Sequence, residues 1–451
     1  MLQDSANTSI FLWGLLAALA LGGLIGWFGW LGAVVVIGLL LVYWLVSHPR
    51  SLLYVLLGLV LLGQAGRIPP GSTGSAALLM DVVAMGIAFL WWIWRVQTGI
   101  RRMPLNNAGI AWGGFLLLGF VMLLGTPLQL SKSEIAVNGF YFARLLAYSS
   151  LAWVIPSLVQ TKSEAIRLMR WVGWVAAGII ILGFIQLYIF PDIGVLSKYG
   201  WDPHVGRLVS TFLDPNFLGG FFALALAVWG ALFLNKYLAA LPFWLGTGLL
   251  LIASVLTYSR SGYLAVGIVV LTLGLRYSWK LLVLAVCCAV PLALTIPRIQ
   301  ERVEGAFKID TTSQDRIDSW KSALSIADRF PVLGVGYNNY FEAQEVVGTL
   351  PYGVKGRSSA GSDSSLLTLL STTGSVGIFL FFLALCFLLR DALKTSGKRT
   401  IASAAALALV VAAPALFVHS WFVNSLLFPF ILVGIATLVG LSYVHTTDES
   451  P

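Results

Sequence analysis

Long apolar runs, separated by short polar connections, follow one another along almost the whole chain. An α-helix needs about twenty residues to cross the hydrocarbon core of a bilayer, and lipid offers its backbone no partner outside the helix. The pattern therefore predicts an all-α polytopic membrane protein with about 12–14 transmembrane helices. The apolar runs cover residues 10–27, 29–47, 51–64, 76–96, 108–126, 135–158, 166–190, 216–234, 241–258, 262–276, 281–296, 364–389, 401–420 and 423–443.

The first apolar run has neither a basic stretch before it nor a small-residue cleavage site after it. We therefore predict that it is retained as a membrane span.

One long polar segment, residues 297–362, interrupts the apolar pattern. It is far longer than a connection between two spans requires, and long ordered loops usually carry function. Within it, residues 315–328 have apolar side chains at helical spacing and are followed by a Phe-Pro pair, which predicts a short helix across the membrane surface. We divide the single membrane domain into an N-terminal bundle (1–296), this loop (297–362) and C-terminal helices (363–451).

Basic residues occur in every second connection between the predicted spans. Because such residues collect on the cytoplasmic side of a membrane, these connections and both termini are predicted to be cytoplasmic. The long loop falls in the alternate set and is predicted to be extracytoplasmic. The basic residues that set this orientation are Arg50, Arg95, Arg101, Arg102, Lys162, Arg167, Arg170, Lys236, Arg276, Lys280, Arg390, Lys394, Lys398 and Arg399.

Composition narrows the class of protein further. Apolar residues make up 58% of the chain and charged residues only 10%, which excludes a soluble domain. The net charge of +9 is also expected from cationic ends of spans, so it does not indicate nucleic acid as a partner. The cysteines Cys287, Cys288 and Cys386 lie inside apolar runs and form neither a metal-ligand spacing nor a disulfide-forming loop pair. We predict neither a metal nor another cofactor.

Three arginines, Arg207, Arg260 and Arg316, lie on the predicted outer side, away from the cytoplasmic clusters. Arg260 sits between two apolar runs with almost no polar linker, where a charge is costly unless it faces a partner or water. Guanidinium groups bind phosphate oxygens in a bidentate manner, so these residues suit a lipid diphosphate head group. The structural alternative is that each side chain reaches to a membrane interface.

Asp363 opens the apolar run after the loop and allows two interpretations. It is a suitable N-cap for the following helix, or an outward-facing carboxylate that takes a proton from a sugar hydroxyl. His204 and His419 also lie near the predicted outer side, where either an interfacial role or a role as base is open.

Aromatic residues cluster in the outer loops, among them Trp320, Tyr337 and Tyr340. They could form surfaces on which sugars stack, although an interfacial aromatic belt predicts the same residues. Gly334 and Gly336 suit a tight turn, and as a phosphate-binding loop their Gly-x-Gly spacing is a weak signal.

Taken together, these motifs resemble the O-antigen ligase and O-antigen polymerase superfamily of membrane glycosyltransferases, which act on undecaprenyl-diphosphate-linked glycans. The resemblance extends from Arg207 to Gly377 and rests on the order of its pieces. These are Thr211-Phe-Leu-Asp-Pro-Asn216, Ser259-Arg-Ser261, Arg316 with Trp320 four residues on, the segment from Pro331 to Phe341, and Leu366 to Gly377.

The resemblance implies a GT-C-like enzyme of the bacterial inner membrane whose active site faces the periplasm. Outer-face arginines, here Arg207, Arg260 and Arg316, would bind the diphosphate. A histidine activates the acceptor hydroxyl in the ligase pattern, and Asp363 stands at the matching position, eleven residues before Gly374. The carboxylate resembles polymerase members, which implies Asp363 as the catalytic residue. Trp320, Tyr337 and Tyr340 are the expected glycan-binding residues.

The function expected from this resemblance is a metal-independent, inverting polysaccharide polymerase. It would transfer a glycan from undecaprenyl diphosphate to a lipid-linked repeat unit. Its further expected partners are membrane lipid and a chain-length regulator protein. The first alternative is an O-antigen ligase with lipid A core as acceptor, and the second is a flippase for lipid-linked glycans. The predicted spans contain few charges, mainly Asp81 and Arg144, which disfavours transport. A structural or sensing membrane protein remains a further class.

Overall fold

A computed structural model describes residues 47–68, 77–98, 106–199, 201–277, 279–305, 310–350 and 361–445. The predicted spans at 10–27 and 29–47 lie outside these residues, except for residue 47. The chain divides into two compact units, residues 1–55 and residues 56–451. Of the first unit only residues 47–55 are described, and they include the beginning of the first helix.

Fifteen α-helices are numbered here within the described residues, in chain order. Their bounds are α1 Pro49–Gly58, α2 Leu79–Gln97, α3 Asn107–Leu124, α4 Lys132–Leu158, α5 Lys162–Ile189, α6 Pro215–Leu234, α7 Ala240–Leu256, α8 Arg260–Tyr277, α9 Trp279–Thr295, α10 Pro297–Glu304, α11 Thr311–Arg329, α12 Tyr340–Val347, α13 Ser365–Thr395, α14 Ile401–His419 and α15 Pro429–Ser442. Short 3₁₀ helices cover Leu59–Gly66, Gly194–Tyr199 and Ser210–Phe212. Strands β1 (Arg67–Ile68) and β2 (Ala77–Leu78) pair antiparallel.

Seven helical segments of the described chain are long and apolar enough to cross a membrane: Pro49–Gly66, α2, α3, α5, α6, α13 and α14. Helices α7 and α15 are apolar but shorter. The prediction of an all-α polytopic membrane protein is confirmed, and every predicted apolar run within the described residues has a helix over most of its length.

The core of the second unit is built on α6. Sixteen of its twenty residues are buried, and the run Gly219-Gly-Phe-Phe-Ala-Leu-Ala-Leu-Ala is apolar on every side. A helix that is apolar all round is expected in the centre of a bundle, where protein rather than lipid surrounds it. Helix α14, with an alanine-rich first half, packs against α6 and is also largely buried.

Glycines allow α6 to approach its neighbours closely. A Cβ atom at Gly219 would lie 2.6 Å from the Cα of Gly262, so α6 and α8 meet backbone to backbone. One residue on, a Cβ at Gly220 would lie 2.8 Å from the imidazole ring of His419 on α14. Small residues at helix crossings are typical of membrane bundles, since they let backbones pack tightly. These contacts fix the beginnings of α6 and α8 beside the end of α14.

Helix α13 is broken at Gly374, which has φ 65° and ψ −170°. The loop around Gly334 supplies partners for the broken turn: Gly336 N–H donates to the Thr372 carbonyl at 2.8 Å, and Ser375 N–H donates to the Pro331 carbonyl at 2.8 Å. A Cβ at Gly334 would come within 2.5 Å of the Thr372 carbonyl carbon. The Gly-x-Gly segment therefore serves close backbone contact with α13.

A buried amide network docks the same loop onto α3 and α4. The Asn138 amide donates to Asn339 Oδ1 at 2.5 Å, and the Asn338 amide donates to Asn138 Oδ1 at 2.8 Å. Thr126, just after α3, donates its hydroxyl to the Val335 carbonyl at 2.7 Å. Buried amides with satisfied partners hold one arrangement, because any other leaves polar groups unpaired.

The helix predicted at residues 315–328 is present as α11 (Thr311–Arg329). It begins four residues earlier than predicted because the Asp310 carboxylate caps it, accepting from the Ser313 N–H at 2.8 Å. Its buried residues Ala323 and Ile326 share an apolar cluster with Tyr340 and Leu367. The loop is thereby packed against the first turns of α13.

Candidate functional site

The beginnings of α6 and α8 lie side by side and are both capped by side chains. Asp214 Oδ1 accepts hydrogen bonds from the backbone N–H groups of Asn216 (2.7 Å) and Phe217 (3.3 Å). Ser259 Oγ accepts from the Gly262 N–H at 3.2 Å and donates to Asn216 Oδ1 at 2.8 Å. A hydrogen bond between Ser259 and Asn216 thus connects two motifs that are distant in sequence, the Thr211 to Asn216 stretch and the Ser-Arg-Ser turn.

The beginning of α13 and the end of α14 join the same region. Ser364 Oγ caps α13, and the Ser365 N–H donates to the Ser420 carbonyl at 2.8 Å. His419 Nε2 lies 3.1 Å from the Asn216 carbonyl, which links α14 to α6. The N-termini of α6, α8 and α13 therefore lie at one end of the bundle. Helix N-termini carry partial positive charge and favour anions.

Arg207 lies in the connection between α5 and α6, and its guanidinium contacts the residues that follow α7. Its guanidinium donates to the carbonyls of Thr257 (2.8 Å) and Tyr258 (3.3 Å), which follow the last turn of that helix. Burial, together with the positive charges of Arg302 and Arg298, lowers the pKa of Arg207 to about 10, against the opposing charge of Asp214. Arg207 is thus a protein-anchored guanidinium in a region rich in positive charge, and not one that extends freely to an interface.

Arg260 is paired within the protein. Its guanidinium donates to the carbonyl of Gly305 and forms an ion pair with Asp310 at 2.9 Å. Although burial opposes the shift, hydrogen bonds from Ser313 and Arg260 lower the pKa of Asp310 to about 2. Arg260 therefore has a carboxylate partner, and a diphosphate at this guanidinium would share it with Asp310 or displace Asp310.

Arg316 differs from the other two arginines. It is half-buried on α11, and its guanidinium makes no hydrogen bond or ion pair with any residue in the described ranges. Burial lowers the pKa of Arg316, and the negative charge of Asp363 opposes this effect. Arg316 is therefore a cation close to Asp363 with donors available for a ligand.

Asp363 is held by its backbone and not by its carboxylate. Its N–H donates to Ser319 Oγ at 2.9 Å, whereas the cap of α13 is Ser364. The side chain is open to solvent on one side. Partial desolvation by the surrounding protein raises the pKa of Asp363 to about 6, while Arg316 lowers it and neighbouring carboxylates, Asp214 first among them, raise it. A carboxyl group with this pKa can accept a proton near neutral pH.

The histidines considered from the sequence have different surroundings. His419 is fully buried, and both ring nitrogens are engaged, since Nδ1 lies 2.9 Å from Ser425 Oγ and Nε2 bonds the Asn216 carbonyl. Because a carbonyl only accepts, Nε2 carries the proton. His419 is therefore a structural link and not an exposed base. The His204 carbonyl accepts from the Ile193 N–H at 3.0 Å, in the connection before Arg207.

The expected glycan-binding aromatics are mostly packed inside the protein. Tyr337 lies in an apolar cluster with Phe142, whose ring is 6.2 Å away, and Tyr340 is 1% exposed. Neither ring face is available to a sugar in this structure, because helices α3, α4 and α13 or the loop core cover them. Trp320 is partly buried, with its ring 6.2 Å from Phe422. Of the three, Trp320 alone keeps an open side.

Several residues that sequence reasoning missed belong to this region. Asp310 pairs Arg260, Ser319 holds Asp363, and Asp214 influences both Arg207 and Arg316 through its charge. A signal for Arg298 and Arg302 was available, since two arginines four residues apart after a proline indicate one face of a short helix.

Metal ligands do not form a cluster in the part of the chain that the structure describes: no three His, Cys, Asp or Glu side chains converge there.

The fold and site define a multi-pass membrane protein with a cationic site at the ends of its central helices. Residues 245–382 match the family model described as O-antigen ligase, and this match confirms the resemblance to the O-antigen ligase and polymerase superfamily. The matched range contains Arg260, Arg316 and Asp363, and Arg207 lies before it. A search of curated proteins gave no match. The family is that of glycosyltransferase-type enzymes acting on lipid-linked glycans, and it does not support the flippase alternative.

Proposed function

We propose that this protein is a polysaccharide polymerase of the bacterial inner membrane. It transfers a growing glycan from undecaprenyl diphosphate to the non-reducing end of a lipid-linked repeat unit at the periplasmic face. The observation that carries the proposal is the pair Asp363 and Arg316, beside the N-termini of three helices. Their charges act on each other, and neither side chain forms a hydrogen bond or ion pair with another of the residues that the structure describes.

In this mechanism Asp363 accepts the proton of the acceptor hydroxyl. The hydroxyl oxygen forms a bond to the anomeric carbon of the donor as the bond from that carbon to the diphosphate oxygen breaks, and the bonding pair leaves with the diphosphate. Attack from the face opposite the leaving group inverts the anomeric configuration. The pKa of about 6 leaves Asp363 largely ionised at neutral pH and therefore able to act as base.

The leaving diphosphate gains negative charge as its bond to the sugar breaks. In this scheme Arg316 and Arg260, with the N-termini of α6, α8 and α13, stabilise that charge. Arg207 has guanidinium N–H groups beyond the two that bind the Thr257 and Tyr258 carbonyls, and we assign it to the same site. The step requires no metal in this scheme, because guanidinium groups supply the positive charge.

The ligase alternative differs in the acceptor and in its base. Ligases of this superfamily place a histidine where this chain has Asp363, and the buried His419 has both ring nitrogens engaged. A carboxylate base therefore favours the polymerase. A chain-length regulator would act on the length distribution of the product, and not on bond formation itself.

The decisive experiment is reconstitution of the purified protein in liposomes with undecaprenyl-diphosphate-linked repeat units as sole substrate. We expect a ladder of products that differ by one repeat unit, unchanged by EDTA. Product formed only when lipid A core is added would establish the ligase instead. A ladder that is lost with EDTA and restored by a divalent cation would overturn metal independence.

A further inference from the structure

Helix α10 (Pro297–Glu304) is a short amphipathic helix between the last predicted span of the N-terminal bundle and α11. Ile299 is buried, whereas Glu301 and Glu304 are exposed. Arg298 and Arg302 are four residues apart and therefore share one face. Neither residue belongs to the motifs that carry the family resemblance.

The N-terminal end of α10 is fixed by Arg298. Its guanidinium donates to the carbonyls of Gly206 (2.9 Å) and Val205 (2.7 Å) and lies over the ring of Tyr258 at 4.1 Å. Gly206 has φ +59°, and a Cβ there would lie 3.0 Å from Arg298. Arg298 thus holds the backbone immediately before Arg207.

The C-terminal end of α10 is fixed by Arg260, which donates to the carbonyl of Gly305 directly after the helix. Helix α10 therefore spans the connections that carry Arg207 and Arg260. Its length of eight residues corresponds to about 12 Å. A side chain one turn after Arg298, on the same face of α10, is therefore expected to lie between those two arginines.

Arg302 is that side chain. It is half-buried, and it makes no hydrogen bond or ion pair with the residues the structure describes. Among the charged neighbours that shift the pKa of Arg207, Arg302 has the largest effect. The nearby carboxylate of Asp214 is committed to capping α6. Positive charges held together in this way repel one another, and an anion between them relieves that repulsion.

We propose that Arg302 is a further substrate-binding residue, which α10 holds in place to contact the diphosphate of the lipid-linked donor together with Arg207. This proposal rests on the proposed function in its choice of ligand. A diphosphate has two phosphate groups, and the row of arginines from Arg207 through Arg302 to Arg260 offers separate guanidinium groups for each. Arg298 is a positioning residue, since its guanidinium holds the Val205 and Gly206 carbonyls and packs over the ring of Tyr258.

The test is direct binding of undecaprenyl diphosphate to the full-length protein in nanodiscs, measured by thermophoresis for the parent, Arg302→Ala and Glu301→Ala. Glu301 is the matched control, because it is the preceding residue of the same helix and is exposed. We expect Arg302→Ala to weaken diphosphate binding at least about tenfold, Arg302→Lys to weaken it less, and Glu301→Ala to leave it unchanged. In turnover assays the same loss should appear in KM more than in kcat.

Phosphatidylglycerol in the nanodisc distinguishes a diphosphate site from a general site for anionic lipid. If Arg302→Ala loses diphosphate affinity only when phosphatidylglycerol is absent, or binds the diphosphate as tightly as the parent, the proposal is wrong. If Arg302→Ala does not remain monodisperse, Arg302→Gln, which keeps the length and a polar end, takes its place under the same criteria. Binding does not depend on elongation, so a protein that binds diphosphate through Arg302 but makes no ladder would refute the polymerase and leave this inference standing.

Discussion

The backbone N–H of Asp363 donates to the Ser319 hydroxyl at 2.9 Å, which ties the chain two residues before α13 to the middle of α11. The next residue, Ser364, caps α13 through its Oγ. The interpretation of Asp363 as an N-cap is therefore wrong. Its carboxylate bonds to none of the described residues, and the backbone at this position is fixed by two elements.

Replacing Asp363 with Asn should leave the fold intact and remove activity. The backbone bond to Ser319 and the cap by Ser364 do not depend on the carboxylate. Loss of a general base typically lowers the rate by roughly a hundredfold to ten-thousandfold. We expect purified Asp363→Asn to be monodisperse but to fail to lengthen lipid-linked repeat units. Asp363→His, which restores the ligase-type residue, should keep part of the activity.

Ser364→Ala is the matched control for this prediction. It removes the cap of α13 and should cost about 1 kcal/mol of stability while leaving the base in place. Elongation at the parent rate by Asp363→Asn would instead show that the carboxylate takes no part in proton transfer.

Activity should depend on the ionisation of Asp363. Its pKa of about 6 predicts that kcat/KM falls as pH drops through 6, with a slope of one proton. The charge of Arg316 lowers that pKa, so Arg316→Gln should move the midpoint to higher pH as well as weaken donor binding. The measurement is the pH profile of elongation for both proteins. An unchanged midpoint in Arg316→Gln would refute the coupling between the two residues.

The raised pKa of Asp363 also predicts that folding stability falls as pH rises, whereas activity increases. Because folding raises the pKa of Asp363 above its ordinary value near 3.8, the folded state binds the proton more tightly than the unfolded state. The contribution of Asp363 to stability is therefore greatest at low pH and is lost as pH rises through 6. Relative to the parent, Asp363→Asn should gain thermal stability as pH rises from about 4 to about 7. Thermal unfolding in detergent across that range provides the check.

If Arg260 binds the donor, substitutions at Arg260 and at Asp310 should have opposite effects on the use of the donor. Arg260→Ala should abolish polymer formation, and Arg260→Lys should restore it only in part, because lysine lacks the bidentate fork. Asp310→Asn keeps an acceptor for the Ser313 N–H but releases Arg260 from its ion pair. We expect this variant to show a lower KM for the lipid-linked donor.

A purely structural ion pair gives a different result. In that case Asp310→Asn and Arg260→Ala should lower thermal stability together, and normal polymer from Arg260→Ala at normal protein level would remove Arg260 from the site.

The helices could be predicted from sequence because lipid imposes a uniform rule on apolar runs. The apolar run at 241–258 becomes α7 (Ala240–Leu256), and the run at 401–420 becomes α14 (Ile401–His419). The choice between Asp363 and Ser364 as cap could not be made, since both residue types cap equally well and stand next to each other.

The burial of Tyr337 and Tyr340 could not be predicted from the local sequence pattern. Tyr337 and Tyr340 lie in a polar, glycine-containing loop that predicts exposure, yet contacts with α4, α11 and α13 bury them. Similarly, the pairing of the Gly334 loop with the broken turn at Gly374 joins residues about forty positions apart. No periodicity within either segment carries that information.

The orientation of the chain can be tested with single cysteines in a background that lacks Cys287, Cys288 and Cys386. Ser325 is exposed on α11, and Lys398 is exposed between α13 and α14. We expect Ser325→Cys to react with a membrane-impermeant thiol reagent added to the periplasmic side, and Lys398→Cys to react only after permeabilisation. Labelling of Lys398→Cys alone in intact cells would invert the topology and refute the periplasmic active site.

Gly374 should tolerate no side chain, although it is eleven residues away from Asp363 in the sequence. Its φ of 65° is in the left-handed region, where an L-residue costs roughly 1–2 kcal/mol. A Cβ there would also lie 2.3 Å from the Val332 carbonyl oxygen. Gly374→Ala should therefore separate the loop from the broken turn and displace the first half of α13, which begins beside Asp363.

Gly113→Ala is the control, because Gly113 lies in α3 with no atom within 4 Å of its Cβ position. Helix propensity predicts that this control is neutral or stabilising by up to about 1 kcal/mol. We expect size-exclusion profiles after heating to show loss of Gly374→Ala at temperatures that the parent and Gly113→Ala survive, and equal survival of the two variants would contradict the backbone pairing between the loop and α13.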